Sequence, residues 1–137
     1  MRFEGKVFKT GKWWAIEVAV LGVYTQARTK RGAYEAVKDA IEEMANMSDF
    51  EVEIYPSKGE YFEVGSRDQG ALIAFLLKRQ RQMRGLSLAD VSERLGLKSR
   101  NAYARYEQGR AIPTVDKLAE LLRAVDPERE FVLKESA

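Results

Sequence analysis

The chain contains neither cysteine nor histidine. Their absence removes disulfides, thiolate chemistry, imidazole acid–base catalysis and any ordinary zinc site. No apolar run approaches the roughly 20 residues that a membrane-spanning helix needs. The opening MRFEGKVF also lacks the apolar core of a signal peptide, so a soluble, cytoplasmic protein with no membrane partner is expected. Proline is scarce, three in 137 residues, and Pro56, Pro113 and Pro127 all fall where a turn or a helix boundary is read. Excess charge is scarce as well, with a net value of only +2.

What is present is unevenly placed. The 45% apolar content suffices for packed cores. Residues 1–66 hold 9 Lys/Arg against 11 Asp/Glu, a balance of −2, whereas residues 67–137 hold 14 against 10, a balance of +4. Within 78–110 the count is 9 against 3, or +6. A basic stretch inside a helical domain fits phosphate binding. The polar segment Gly65-Ser66-Arg67-Asp68-Gln69-Gly70 separates a strand-rich half from a helix-rich half, so two domains, 1–66 and 67–137, are expected.

The helix-rich half carries the clearest motif. Ser87 is a helix N-cap, with Asp90 three positions on as its acidic partner. Leu88, Val91 and Leu95 follow at helical spacing, and Gly96 is placed to stop that helix in the left-handed conformation. Ser99 caps a second helix, read with Tyr103 and Tyr106 inward alongside Ala102, and with Arg100, Asn101, Ala104 and Arg105 outward. Gly109 and Pro113 close it. A first helix at Ala71–Arg84 and a last one at Val115–Val125 complete the domain, the latter with Val115, Leu118, Leu121, Leu122 and Val125 inward. This is a helix-turn-helix pattern, whose second helix enters the DNA major groove. The apolar tail 130–134 is either a strand that pairs with its copy in a dimer or a segment packed on its own domain.

In the strand-rich half, Phe3–Lys9 and Trp13–Val20 flank the turn Thr10-Gly11-Lys12. A short third strand spans Val23–Ala27. Residues 32–46 are helical, and Phe50, Val52 and Ile54 alternate with Glu51, Glu53 and Tyr55 as a strand with one wet face. Tyr61–Val64 pairs back across the Pro56–Gly59 turn. The fold class is therefore α+β: a small antiparallel sheet with one helix, followed by an all-α helix-turn-helix domain.

Residues 70–125 resemble the lambda-repressor-like (Xre-type) DNA-binding family through Leu95-Gly96-Leu97, Tyr106-Glu107-Gln108-Gly109-Arg110, and Pro113 ahead of Leu118, Leu121 and Leu122. Leu88 stands where that family often has Gln, and the turn is one residue longer, through Lys98-Ser99. Residues 1–55 resemble the N-terminal domain of HicB antitoxins, itself similar to a partial ribonuclease-H-like fold. The resemblance rests on Trp13-Trp14-Ala15-Ile16-Glu17-Val18, Leu21-Gly22-Val23-Tyr24-Thr25-Gln26, Thr29, Glu35-Ala36 and Ala40-Ile41. Ala19-Val20-Leu21-Gly22 replaces the usual proline-rich turn of that family, and Ala27 stands where a Gly is common.

The expected DNA-binding residues follow. Arg100 and Asn101, in the first turn of the recognition helix, are base readers, since Arg can bond guanine and Asn adenine at two points each. Ser99, Ala104 and Arg105 share that surface. Gln108 and Arg110 in the following loop contact backbone, which positions without specifying. Arg79, Arg81 and Arg84 are phosphate contacts, and Glu107 caps or pairs locally. Trp13 and Trp14, adjacent on a strand, face opposite ways. One of them stays outside the core and is a candidate toxin contact. Glu42 and Glu43 diverge on a helix, and Glu51 and Glu53 share a strand face but lack a third ligand, so no catalytic residue, metal or cofactor is expected. The two resemblances together imply an antitoxin that blocks a HicA-like ribonuclease toxin and represses its own operon as a dimer or dimer of dimers. The alternative is a stand-alone repressor whose N-terminal domain dimerises or senses a ligand.

Overall fold

The structure is a computed structural model and describes residues 1–136. It is α+β and divides into two compact units, Met1–Leu76 and Leu77–Ala137. In the first unit, β1 (Arg2–Thr10), β2 (Trp13–Val18), β3 (Val23–Ala27), β4 (Glu53–Pro56) and β5 (Tyr61–Gly65) form one antiparallel sheet in the order β3-β2-β1-β5-β4. The β1–β2 hairpin turns at Gly11, whose φ of +61° favours glycine. A 3-10 turn at Ala19–Leu21 ends at Gly22, also left-handed, and stops β2 two residues before the Val20 expected from sequence.

Helix α1 (Lys30–Ala45) is capped by Thr29, whose hydroxyl accepts the Gly32 N–H at 2.9 Å. Its Ala33, Val37, Ile41 and Ala45 are buried, and Tyr34 meets the buried Phe62 edge-on at 5.5 Å. The register sets Val7 beside Ile16 and Phe3 beside Val64, so the face beneath α1 is the apolar one. Gly5 belongs there because the Phe62 ring crosses it, and a Cβ at Gly5 would come within 2.2 Å of that ring. The expected strand through Phe50 and Val52 begins only at Glu53. Phe50 and Val52 are nevertheless buried, and the Val52 N–H is taken up by the Glu42 carboxylate at 2.9 Å.

Helix α2 (Gln69–Met83) starts on Asp68, whose carboxylate accepts the Ala71 N–H at 2.9 Å. The boundary between the compact units falls inside α2, ten residues beyond the polar segment that divides the sequence at 66/67. The second unit continues with α3 (Leu88–Arg94), α4 (Arg100–Glu107) and α5 (Val115–Val125). Helices α3 and α4 pack on one another, α3 also packs on α5, and Val91, Tyr103, Leu121, Leu122 and Val125 form their core. Val115 is a correction: it is 84% exposed. The inward side of α5 is set by Leu121, Leu122 and Val125, and at about 100° per residue Val115 falls at the margin of that stripe, in the first turn. No strand forms over 127–136, and Val132 and Leu133 are exposed. No described helix is long and apolar enough to cross a membrane.

Candidate nucleic-acid interface

Three successive helices end in the same way. In α2 the Leu86 N–H donates to the Arg81 carbonyl and the Gly85 N–H to that of Gln82. In α3 Leu97 donates to Ser92 and Gly96 to Glu93, and in α4 Arg110 donates to Arg105 and Gly109 to Tyr106. Each is a Schellman closure, with Gly85, Gly96 and Gly109 at φ of +68°, +72° and +72°. Between them stand two capped starts. Ser87 and Asp90 form a reciprocal capping box at 3.0 and 2.8 Å. The Ser99 hydroxyl accepts the Asn101 N–H at 3.2 Å. Main-chain bonds thus stop each helix, and side-chain caps start α3 and α4.

On α4, Tyr103, Ala104 and Glu107 are buried, whereas Arg100, Asn101, Ala102 and Arg105 are exposed, as are Gln108 and Arg110 beyond the helix. Ala104 is a second correction: it is 5% exposed and belongs to the core, and Ala102 takes its place on the open face. The cause is Glu107. Read from sequence as a cap or local partner, it is instead drawn inside by the distant Arg81, which meets it at two points, Nε to Oε2 at 2.7 Å and Nη2 to Oε1 at 2.9 Å. The third guanidinium nitrogen, Nη1, donates to the Leu86 carbonyl at 2.8 Å. Glu107 holds the Arg81 pKa above its usual value. Burial, and then the Glu107 charge, raises that of Tyr103, whose hydroxyl has no hydrogen-bond partner of ordinary geometry.

Arg81 and Arg84 therefore do not serve as phosphate contacts. Arg84 Nε donates to Asp126 at 2.7 Å, with both side chains largely covered, which lowers the Asp126 pKa. Arg79 is half-buried and donates to Gln82 at 2.9 Å. Arg94, from α3, donates to the Ala124 and Val125 carbonyls at the end of α5.

The result is an electrostatic face of one sign. Residues 98–110 hold four cations, Lys98, Arg100, Arg105 and Arg110, all exposed, and one acid, Glu107, which is buried and neutralised by Arg81. Lys98, in the turn, was not singled out from sequence, although its place between two Schellman-capped helices marks it. Arg100 and Asn101 sit in the first turn of α4, where a recognition helix meets base edges. Ser99 stands at the same end, with its hydroxyl oxygen occupied as a cap acceptor.

In the first unit Trp13 is the outward tryptophan, 40% exposed on the sheet face away from α1, while Trp14 lies half-buried on the α1 side. The carboxylates do not gather: Glu42 bonds Lys38 and the Val52 N–H, Glu53 bonds the Tyr55 hydroxyl, and among the described residues no three Asp or Glu form a metal-ligand cluster.

Residues 77–128 match the helix-turn-helix family, a span that lies within the second compact unit. Comparison with curated proteins finds no similar chain. That match points to DNA-binding transcriptional regulation for the second unit.

Proposed function

We propose that this protein is a cytoplasmic antitoxin of a type II toxin–antitoxin pair that also represses its own operon. The observation that carries the DNA half is the segment 98–110 around α4, where four exposed cations meet no exposed acid. Arg100, Asn101 and Arg105 read base edges, while Ser99, Lys98, Gln108, Arg110 and Arg79 hold the backbone. A single helix-turn-helix spans few base pairs, so two copies occupy a pseudo-palindromic operator, as a dimer or dimer of dimers.

The antitoxin half is supported by the HicB-like residues of β2, β3 and α1 and by the order of the two domains. In this reading the first unit covers a HicA-like ribonuclease and blocks it sterically, with no catalysis of its own. Trp13 is the better anchor of the two tryptophans because it stands outside the core. Trp14 supports it from the other face. The test is co-expression of the full chain with a HicA-like ribonuclease. Capture of the toxin and rescue of growth, both lost with Trp13→Ala while operator binding stays intact, are expected. If the folded chain binds DNA but captures no such ribonuclease, the protein is a stand-alone repressor.

A further inference from the structure

One end of the sheet in the first unit concentrates charge of one sign around both tryptophans. The register places Lys9 beside Trp14 and Trp14 beside Ala27, with Thr10 beside Trp13. The Gly11-Lys12 turn, Arg28 and the start of α1 at Lys30 and Arg31 therefore lie at that same end. Segments 9–14 and 26–34 contain five cations, Lys9, Lys12, Arg28, Lys30 and Arg31, and no acid. The remainder of residues 1–66 contains 4 cations and 11 acids.

The two populations are also paired differently. Elsewhere in the unit Arg2 pairs with Glu63, Lys6 with Glu60 and Lys38 with Glu42. At the tryptophan end all five cations are exposed, and only Arg31 reaches a carboxylate, that of Glu35 at 3.6 Å. Lys9, Lys12, Arg28 and Lys30 make no ion pair among the described residues. Instead Arg28 lies over the Trp13 ring at 5.4 Å and Lys30 over the Trp14 ring at 5.8 Å. Like charges gathered without counter-charge cost free energy, and a polyanion relieves that cost.

The exposed indole narrows the choice. A duplex offers phosphates but no open base face, and an acidic peptide offers carboxylates but nothing to stack. We propose that this end of the first unit binds single-stranded nucleic acid, with phosphates on Lys9, Lys12, Arg28 and Lys30 and an unpaired base stacked on Trp13. Cations that follow the backbone beside an aromatic platform are the general solution to that problem. The site does not depend on the antitoxin reading. If both hold, toxin and single strand compete for Trp13.

The chain has only two tryptophans, both at this end, so their emission reports this site. The purified full chain is titrated with short oligo(U), oligo(dT), a duplex of equal length and an oligo-glutamate peptide. Saturable quenching by the single strands is expected, weakening as salt rises. Arg28→Glu and, as a second variant in an exposed turn, Lys12→Glu should each weaken it by about tenfold, and Arg100→Ala should leave it unchanged. Equal quenching by oligo(U) and oligo(dT) assigns the site to single strands generally, and preference for oligo(U) assigns it to RNA; either supports the proposal. Absence of saturable quenching, indifference to both charge reversals, or equally strong saturable quenching by the duplex or the peptide overturns it.

Discussion

Arg81 on α2 and Glu107 on α4 form a two-point ion pair whose side chains are 14% and 6% exposed. It joins α2 to α4 through residues 26 positions apart in sequence and decides which face of α4 is open. Breaking such a pair from one side leaves a buried charge uncompensated. Arg81→Ala is expected to cost about 3–5 kcal/mol of stability, whereas replacing both residues with apolar ones of similar volume should cost far less. Urea melts of the two variants check this.

The exchange of roles between Ala102 and Ala104 gives a paired test. Ala104→Glu places a carboxylate in the core beside Tyr103 and should destabilise by about 3 kcal/mol or more. Ala102→Glu should leave the thermal midpoint nearly unchanged and abolish DNA binding, because it sets a negative charge against phosphate. Thermal melts with anisotropy on duplex DNA separate the outcomes, and the reverse pattern would refute this orientation of α4.

Base reading and backbone holding should also separate. Arg100→Ala, Asn101→Ala or Arg105→Ala should each weaken operator binding by about 1–3 kcal/mol and relax sequence preference. Arg110→Ala should weaken all duplexes alike and reduce the salt slope by about one. Equal loss on specific and scrambled duplexes for all three readers would remove the base-reading role from α4.

Two carboxylates tie the second unit to pH. The Arg84 hydrogen bond lowers the Asp126 pKa, and the Ser87 N–H and hydroxyl lower that of Asp90. A carboxyl group held low in the folded state binds fewer protons there than in the unfolded chain. Its contribution is therefore complete above the ordinary value of about 4 and is lost as pH falls through the lower folded value. Urea midpoints should fall below about pH 4, and Asp126→Asn should flatten that fall while lowering stability at neutral pH.

Gly96 has open space where a Cβ would stand, yet its φ is +72°. Gly96→Ala should thus cost about 1–2 kcal/mol through the backbone alone, without a steric clash, as read by thermal melting. A near-neutral result would mean that the α3–α4 turn relaxes out of the left-handed conformation.

The capped starts at Ser87 and Ser99, the stop at Gly96 and the hairpin at Gly11 were all legible, because each depends on residues within a few positions of one another. What misled were places where a distant residue decides. Glu107 is inside because Arg81 meets it, which turned Ala104 from the surface to the core. Arg84 is engaged because Asp126 lies beside it after the chain folds back. Val115 has an apolar side chain but begins α5 off the stripe that Leu121, Leu122 and Val125 define. The charge at the tryptophan end was hidden for the same reason: Lys9, Lys12, Arg28 and Lys30 are scattered in sequence and meet only when β1, β2 and β3 pair.

The three Schellman glycines have a consequence for retargeting. Because α2, α3 and α4 are each terminated by main-chain bonds, the outward side chains of Asn101, Ala102 and Arg105 have no share in closing the turns. A library randomised at those three positions should therefore yield mostly folded proteins with altered operator preferences. The scaffold and the address it reads can be edited independently.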